Sequence, residues 1–127
     1  MEYIIDTHVL LWSMFEPHKL SQTVKKILTN KNINRFMSIA SMWEIAIKHR
    51  IGKLPLSMEM SDYFSVVKSA NIGLYSINQH HIEAYSSLPL NHRDPFDGII
   101  IATALSEQMT IITADENIQK YEVPWVW

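Results

Sequence analysis

The chain has no cysteine. Disulfide frameworks, cysteine-based zinc sites, iron–sulfur clusters and thiol nucleophiles are therefore excluded. Glycine is nearly as scarce, and the three present, Gly52, Gly73 and Gly98, are scattered. They cannot build a phosphate-cradling loop or a dinucleotide fingerprint, and no Gly-x-Ser-x-Gly elbow exists. Long apolar runs are missing as well. The most apolar stretch, Ile99 to Leu105, is far too short to span a bilayer. The opening Met-Glu-Tyr-Ile-Ile-Asp lacks the basic start of a signal peptide. The expectation is a cytoplasmic protein with no membrane partner. Nor is there an excess of basic charge, since eleven Lys and Arg against thirteen Asp and Glu leave a net charge of −2. Contact with a nucleic acid would have to come from local basic clusters, not from the overall field.

What remains is the composition of an ordinary folded domain. With 127 residues, 47% of them hydrophobic and 19% charged, one domain spanning 1–127 can bury a sizeable core unaided. Tyr3-Ile4-Ile5 reads as a strand buried on both faces. Val9 to Phe15 reads as a helix ended by Pro17, and Ser21 as the N-cap of a second helix to about Asn30. Arg35 to Ile39 is strand-like. Ser41-Met42-Trp43-Glu44 then has capping-box spacing, which starts a helix that runs to Arg50 and stops at Gly52. Ser57 to Asn71 is amphipathic and Leu74 to Ile77 strand-like, with Asn78 able to cap the helix that follows. Asp94-Pro95 supplies an N-cap and a first-turn proline for a buried helix through Glu107. Thr110 to Thr113 is a last strand, followed by Asp115 and one helical turn. Strands alternating with helices predict an α/β fold whose parallel sheet is covered on both faces.

In such a sheet, ligands bind beyond the carboxyl ends of the strands. Asp6 follows the first strand and Asp115 the last. Glu44 lies in the first turn of the helix leaving the second strand, and Asp97 in the first turn of the buried helix. Separations of 38, 53 and 18 residues make these four acids a tertiary cluster if they meet at all. Clustered carboxylates repel and drive their pKa values up unless a cation sits between them. Oxygen ligands without cysteine select Mg²⁺ or Mn²⁺, and such ions can activate water against a phosphodiester. Each acid also has a plainer reading, because Asp6, Asp94 and Asp115 could cap helices and Glu44 could complete the box begun by Ser41. For Asp94, capping is the favoured role. Asp97 could be that cap's partner acid.

Four stretches resemble the PIN-domain nucleases, and more closely the VapC-type toxins of bacterial toxin–antitoxin pairs. They are Ile4-Ile5-Asp6-Thr7-His8-Val9-Leu10-Leu11-Trp12, Ser41-Met42-Trp43-Glu44-Ile45-Ala46-Ile47-Lys48, His92-Arg93-Asp94-Pro95-Phe96-Asp97, and Ile112-Thr113-Ala114-Asp115. Together they extend from near the N-terminus to about residue 117. The resemblance implies a three-layer α/β/α sandwich and a Mg²⁺- or Mn²⁺-dependent endoribonuclease with Asp6, Glu44, Asp97 and Asp115 as catalytic metal ligands. It also implies an antitoxin partner and a homodimer. Close relatives often carry Arg where this chain has Gly98, which removes a positive charge beside the site.

Supporting roles fall to Asp94 and to Thr113 and Thr7, which could orient the ligands. Lys48 and Arg50, with His49 and Lys53, form the best basic cluster for an RNA backbone, and His92 and Arg93 adjoin the acidic motif. The same cluster also reads as a solvated helix end. Two other functions fit these residues less well. An aspartyl phosphatase would need a second acid in place of the histidine of Asp6-Thr7-His8. A non-catalytic interaction module would have no reason to keep all four acids. The four tryptophans belong mainly to the core, with some of Trp12, Trp43, Trp125 and Trp127 available to a partner.

Overall fold

A computed structural model describes all residues, 1–127. The elements run in the order β1 (Glu2–Ile5), α1 (Thr7–Phe15), a 3₁₀ turn (Pro17–Lys19), α2 (Gln22–Thr29), β2 (Asn34–Ser38), α3 (Ile39–Arg50) and α4 (Met60–Ser69). They continue with β3 (Gly73–Tyr75), α5 (Gln79–Ser86), α6 (Pro95–Glu107), β4 (Thr110–Ile112), α7 (Glu116–Gln119) and β5 (Trp125–Val126). The five strands form one sheet in the order β3-β2-β1-β4-β5, every pair parallel. The expected α/β class and its covered parallel sheet are what the chain forms.

Strand periodicity explains the two covered faces. Successive side chains of a strand point to opposite sides. Ile5, Met37 and Ile112 therefore join a core with residues of α1 to α4, among them Val9, Leu10, Val24, Ile45 and Tyr63. Ile4 and Ile111 join a second core with Ile100, Ile101 and Ala104 of α6 and with Ile118 and Tyr121. The result is three layers, helices–sheet–helices. Helix α6 is buried along most of its length, as its all-round apolar sequence required.

Several local expectations shift. The N-cap of α3 is Ser38, whose Oγ accepts from the Ala40 amide, so the Ser41–Glu44 capping box does not form. Ser41 is buried inside α3 and accepts a hydrogen bond from Thr7 Oγ1 at 2.8 Å, tying α3 to α1. Glu44 consequently sits in the second turn, not the first. Helix α4 begins at Met60, not Ser57, because Glu59 and Asp62 cap each other's backbone there. β5 was not anticipated: Thr113 N donates to Val126 O, and Trp125 and Val126 extend the sheet beside β4. Trp12 and Trp127 meet edge to face at 5.7 Å, while Trp43 and Trp125 are exposed.

Gly98 has a steric reason. A Cβ there would lie 2.4 Å from the Tyr85 ring, so α5 can pack this closely on α6 only where the side chain is absent. A larger residue such as Arg would require Tyr85 to move.

Candidate functional site

In a sheet ordered 3-2-1-4-5, β1 and β4 run side by side while their connections leave in opposite directions, and the crevice at their carboxyl ends is the natural ligand site. Asp6 leaves β1 at that point. Its amide donates to Ile112 O at 3.0 Å, but its side chain makes no helix-capping bond. Oδ2 instead accepts from Thr113 Oγ1 at 2.9 Å. Oδ1 is buried with no hydrogen-bond partner at all. Burial drives the Asp6 pKa upward, against the lowering influence of Thr113 and His8.

Thr113 also accepts from the Asp115 amide at 3.0 Å, so one hydroxyl locks the β1 and β4 exits together. Asp115 takes up its capping role, with Oδ1 accepting from Asn117 N at 2.8 Å. Asp94 caps α6 through the amides of Phe96 and Asp97, and Pro95 occupies the first turn. One turn in, Asp97 is 5% exposed, and its Oδ2 lies 3.1 Å from His92 Nε2. Its pKa is pushed up to about 7, first by burial and then by the charges of Asp6, Asp94 and Asp115, with His92 opposing. Asp6, Asp97 and Asp115 thus share one electrostatic space.

Glu44 is paired along its own helix. Its Oε2 is 3.5 Å from Lys48 Nζ, and its buried Oε1 has no partner. Lys48 Nζ also lies 3.2 Å from His8 Nε2, and His8 Nδ1 is 4.0 Å from Asp6 Oδ1. Lys48 and His8 thus form a chain of contacts from Glu44 to Asp6. Neither His8 contact brings a hydrogen bond to Asp6 Oδ1. As the side chains are placed, no three acidic or imidazole groups stand close enough to hold one ion.

The donor chemistry nevertheless fits a hard divalent cation. Three carboxylates repel across a shared space, two of them have raised pKa values, and one of them aims a buried oxygen at no donor. Such a cation would relieve all three conditions.

Two histidines lie against the acids: His8, which the sequence did not single out, and His92, expected beside the acidic motif but as a phosphate contact. His8 follows Asp6 by two positions. His92 contacts Asp97 and is itself fixed by Tyr121, whose hydroxyl lies 3.1 Å from Nδ1. Proximity to the acids in sequence was the available signal. Thr7 bonds Ser41 and no carboxylate. Arg50 and Arg93 are exposed, and His49 turns inward to Met58 O.

A stability signature follows from Asp97. Its folded-state pKa of about 7 exceeds the ordinary 3.8, so its contribution to stability is complete below about pH 4 and is lost as pH rises through 7. Without metal, Asp97→Asn is expected to exceed the parent in stability at pH 8 by on the order of 3 kcal/mol. The gap should close near pH 4. Urea unfolding at both pH values measures it, and equal gaps would contradict the assignment.

The architecture and the acidic crevice define an α/β sandwich with a carboxylate site at the switch point of its sheet. The chain belongs to the PIN domain family, whose model matches residues 3–124. No curated protein sequence matches it. Among solved structures it is similar to VapBC2 from Rickettsia felis bound to a promoter DNA fragment, with TM-score 0.76 and 16% identity over 99% of this chain and 98% of that one. It is also similar to DNA-bound VapBC from Salmonella typhimurium, with TM-score 0.74 and 11% identity over 99% and 97%. FitAcB from Neisseria gonorrhoeae gives TM-score 0.67 and 16% identity over 98% and 96%. At these identities the likeness is one of fold.

Proposed function

We propose that this protein is a Mg²⁺- or Mn²⁺-dependent endoribonuclease, the toxin of a toxin–antitoxin pair, acting on RNA in the cytoplasm as a homodimer. The observation that carries this reading is the orphaned Oδ1 of Asp6, buried beside Asp97 and Asp115 at the switch point. Membership in the PIN family and the fold shared with VapBC complexes support it. That no helix is long and apolar enough to cross a membrane accords with it.

In this reading Asp6, Asp97 and Asp115 would hold the cation, with the unpartnered Oε1 of Glu44 as a further donor. A bound divalent ion supplies an activated water and charge stabilisation for the leaving oxygen. Thr113 fixes the orientation of Asp6, and His92, braced by Tyr121, fixes that of Asp97. Lys48 brings positive charge to the edge of an otherwise acidic crevice, where a phosphate must approach.

Purified protein is expected to cut RNA in Mg²⁺ and to stop in excess EDTA. Calorimetric titration with Mn²⁺ should show saturable binding. Cleavage undiminished by EDTA would sink the mechanism. No saturable binding, together with no cleavage, would leave a PIN module kept for partner binding. A small upstream gene for a DNA-binding protein would support the toxin role.

A further inference from the structure

We propose that the groove between α1 and the loop joining α3 to α4 carries an unpaired segment of the RNA substrate as it leaves the carboxylate site. The proposal rests on the nuclease reading and adds a path for the strand.

The groove is a cavity of about 560 Å³ whose walls include His8, Trp12, Phe15, Lys48, Lys53 and Leu54. A second cavity of about 230 Å³ contains Asp6 and Asp115, and it shares His8 and Trp12 with the first. The two therefore adjoin at His8 and Trp12. A strand cut beside Asp6 has to continue on at least one side, and this groove adjoins the cavity that holds Asp6.

Charge changes sign along that path. The carboxylates gather at one end, while Lys48 and Lys53 line the rest. Lys19 lies 5.4 Å over the Trp12 ring, and the one acid of the groove, Glu16, is already paired with it at 3.2 Å. The two groove lysines are held in place by backbone geometry. Gly52 adopts φ +77°, and this left-handed turn folds the chain back so that the Lys53 amide donates to Lys48 O at 2.9 Å. Phe15 is 39% exposed, a large apolar ring left uncovered beside these cations. Lysines that follow a backbone next to accessible aromatic rings form a stacking platform for single strands. A duplex hides the faces of its bases and cannot use such a surface.

The test uses wild-type protein in EDTA, which prevents cleavage, and a fluorescein-labelled oligouridylate read by polarisation. Lys53→Glu is expected to weaken binding by about tenfold and to flatten the log–log salt dependence by about 0.7, one phosphate contact on a single strand. Phe15→Ala should weaken binding by about fivefold or more, the loss of one stacked base. A duplex of equal length should bind at least about tenfold more weakly than the single strand, because its stacked bases cannot reach the rings.

Phe15 packs edge-on against buried Tyr63 at 6.5 Å, so its variant is first checked by thermal melting. Lys53 is exposed, and its variant carries the test alone if the other unfolds. Wild-type affinity in both variants, equal binding of duplex, or no strand binding at all would each overturn the proposal. So would displacement of the strand only by an acidic, apolar peptide with no salt response, which would assign the groove to a protein partner. If RNA is cut in Mg²⁺ while Lys53→Glu binds normally, the groove fails and the nuclease stands. If the strand binds through these residues but is never cut, the nuclease reading fails instead.

Discussion

Asparagine in place of Asp6 is expected to give a folded, more stable protein that no longer cleaves RNA. The amide can still accept from Thr113, which now bonds Oδ2 at 2.9 Å, so the join between the β1 and β4 exits survives. The other carboxylate oxygen changes most. It is a buried acceptor with no donor, and the amide nitrogen that replaces it carries no charge and cannot ligate a hard cation. Cleavage should fall by roughly 100-fold or more, since changing even an outer partner of a metal ligand costs about 10- to 100-fold. In metal-free protein the same change removes a charge that burial disfavours and that repels Asp97. Loss of activity with a gain in apparent melting temperature at pH 8 is the mark of a site built against its own stability. Retained cleavage by Asp6→Asn, with the fold intact, would remove Asp6 from the mechanism.

The second large effect lies far from the site. Arg35 in β2 is 1% exposed and has no carboxylate partner. Its guanidinium donates to three backbone carbonyls: Nε to Ile33 at 3.1 Å, Nη1 to Leu28, and Nη2 to Ala70 at 2.9 Å. Leu28 is in the last turn of α2 and Ala70 is the C-cap of α4. Both are helix ends with unsatisfied carbonyls and partial negative charge, so one cation closes two helices onto the sheet. Burial lowers the Arg35 pKa, but arginine stays charged, and those carbonyls compensate it. Arg35→Met would fill the space and orphan the three acceptors together. The expected loss is about 3–5 kcal/mol, a large part of a small domain's total stability. Arg35→Lys keeps the charge but not the three-way reach, and should fall between the two. Urea unfolding followed by circular dichroism measures this, and a Met variant within about 1 kcal/mol of the parent would refute the clamp.

Much of the fold was legible because short-range rules dominated it. The Asp94-Pro95 start of α6, the Ser21 cap of α2 and the Asn78 cap of α5 are as the sequence indicated. At each, a side chain reaches an amide two or three residues away, and nothing distant competes. Ser41 failed for the opposite reason. Its spacing to Glu44 imitates a cap, but β2 ends at Ser38, and Thr7 of another helix takes the Ser41 hydroxyl. β5 has two residues and acquires strand character only by pairing with β4. The Gly98–Tyr85 approach likewise joins two helices that no local pattern connects.

The acids divide in the same way. The sequence by itself determined the fold class, the four candidate carboxylates and the ends of strands and helices where they sit, because periodicity and capping act over a few residues. Only the tertiary structure decided that Asp6, Asp97 and Asp115 repel one another, whereas the Glu44–Lys48 pair follows from spacing along one helix. It alone showed that His92 braces Asp97, and that Arg35 is a clamp instead of a surface charge. Charge interaction depends on distance through space and on burial, and neither exists until separate segments are packed together.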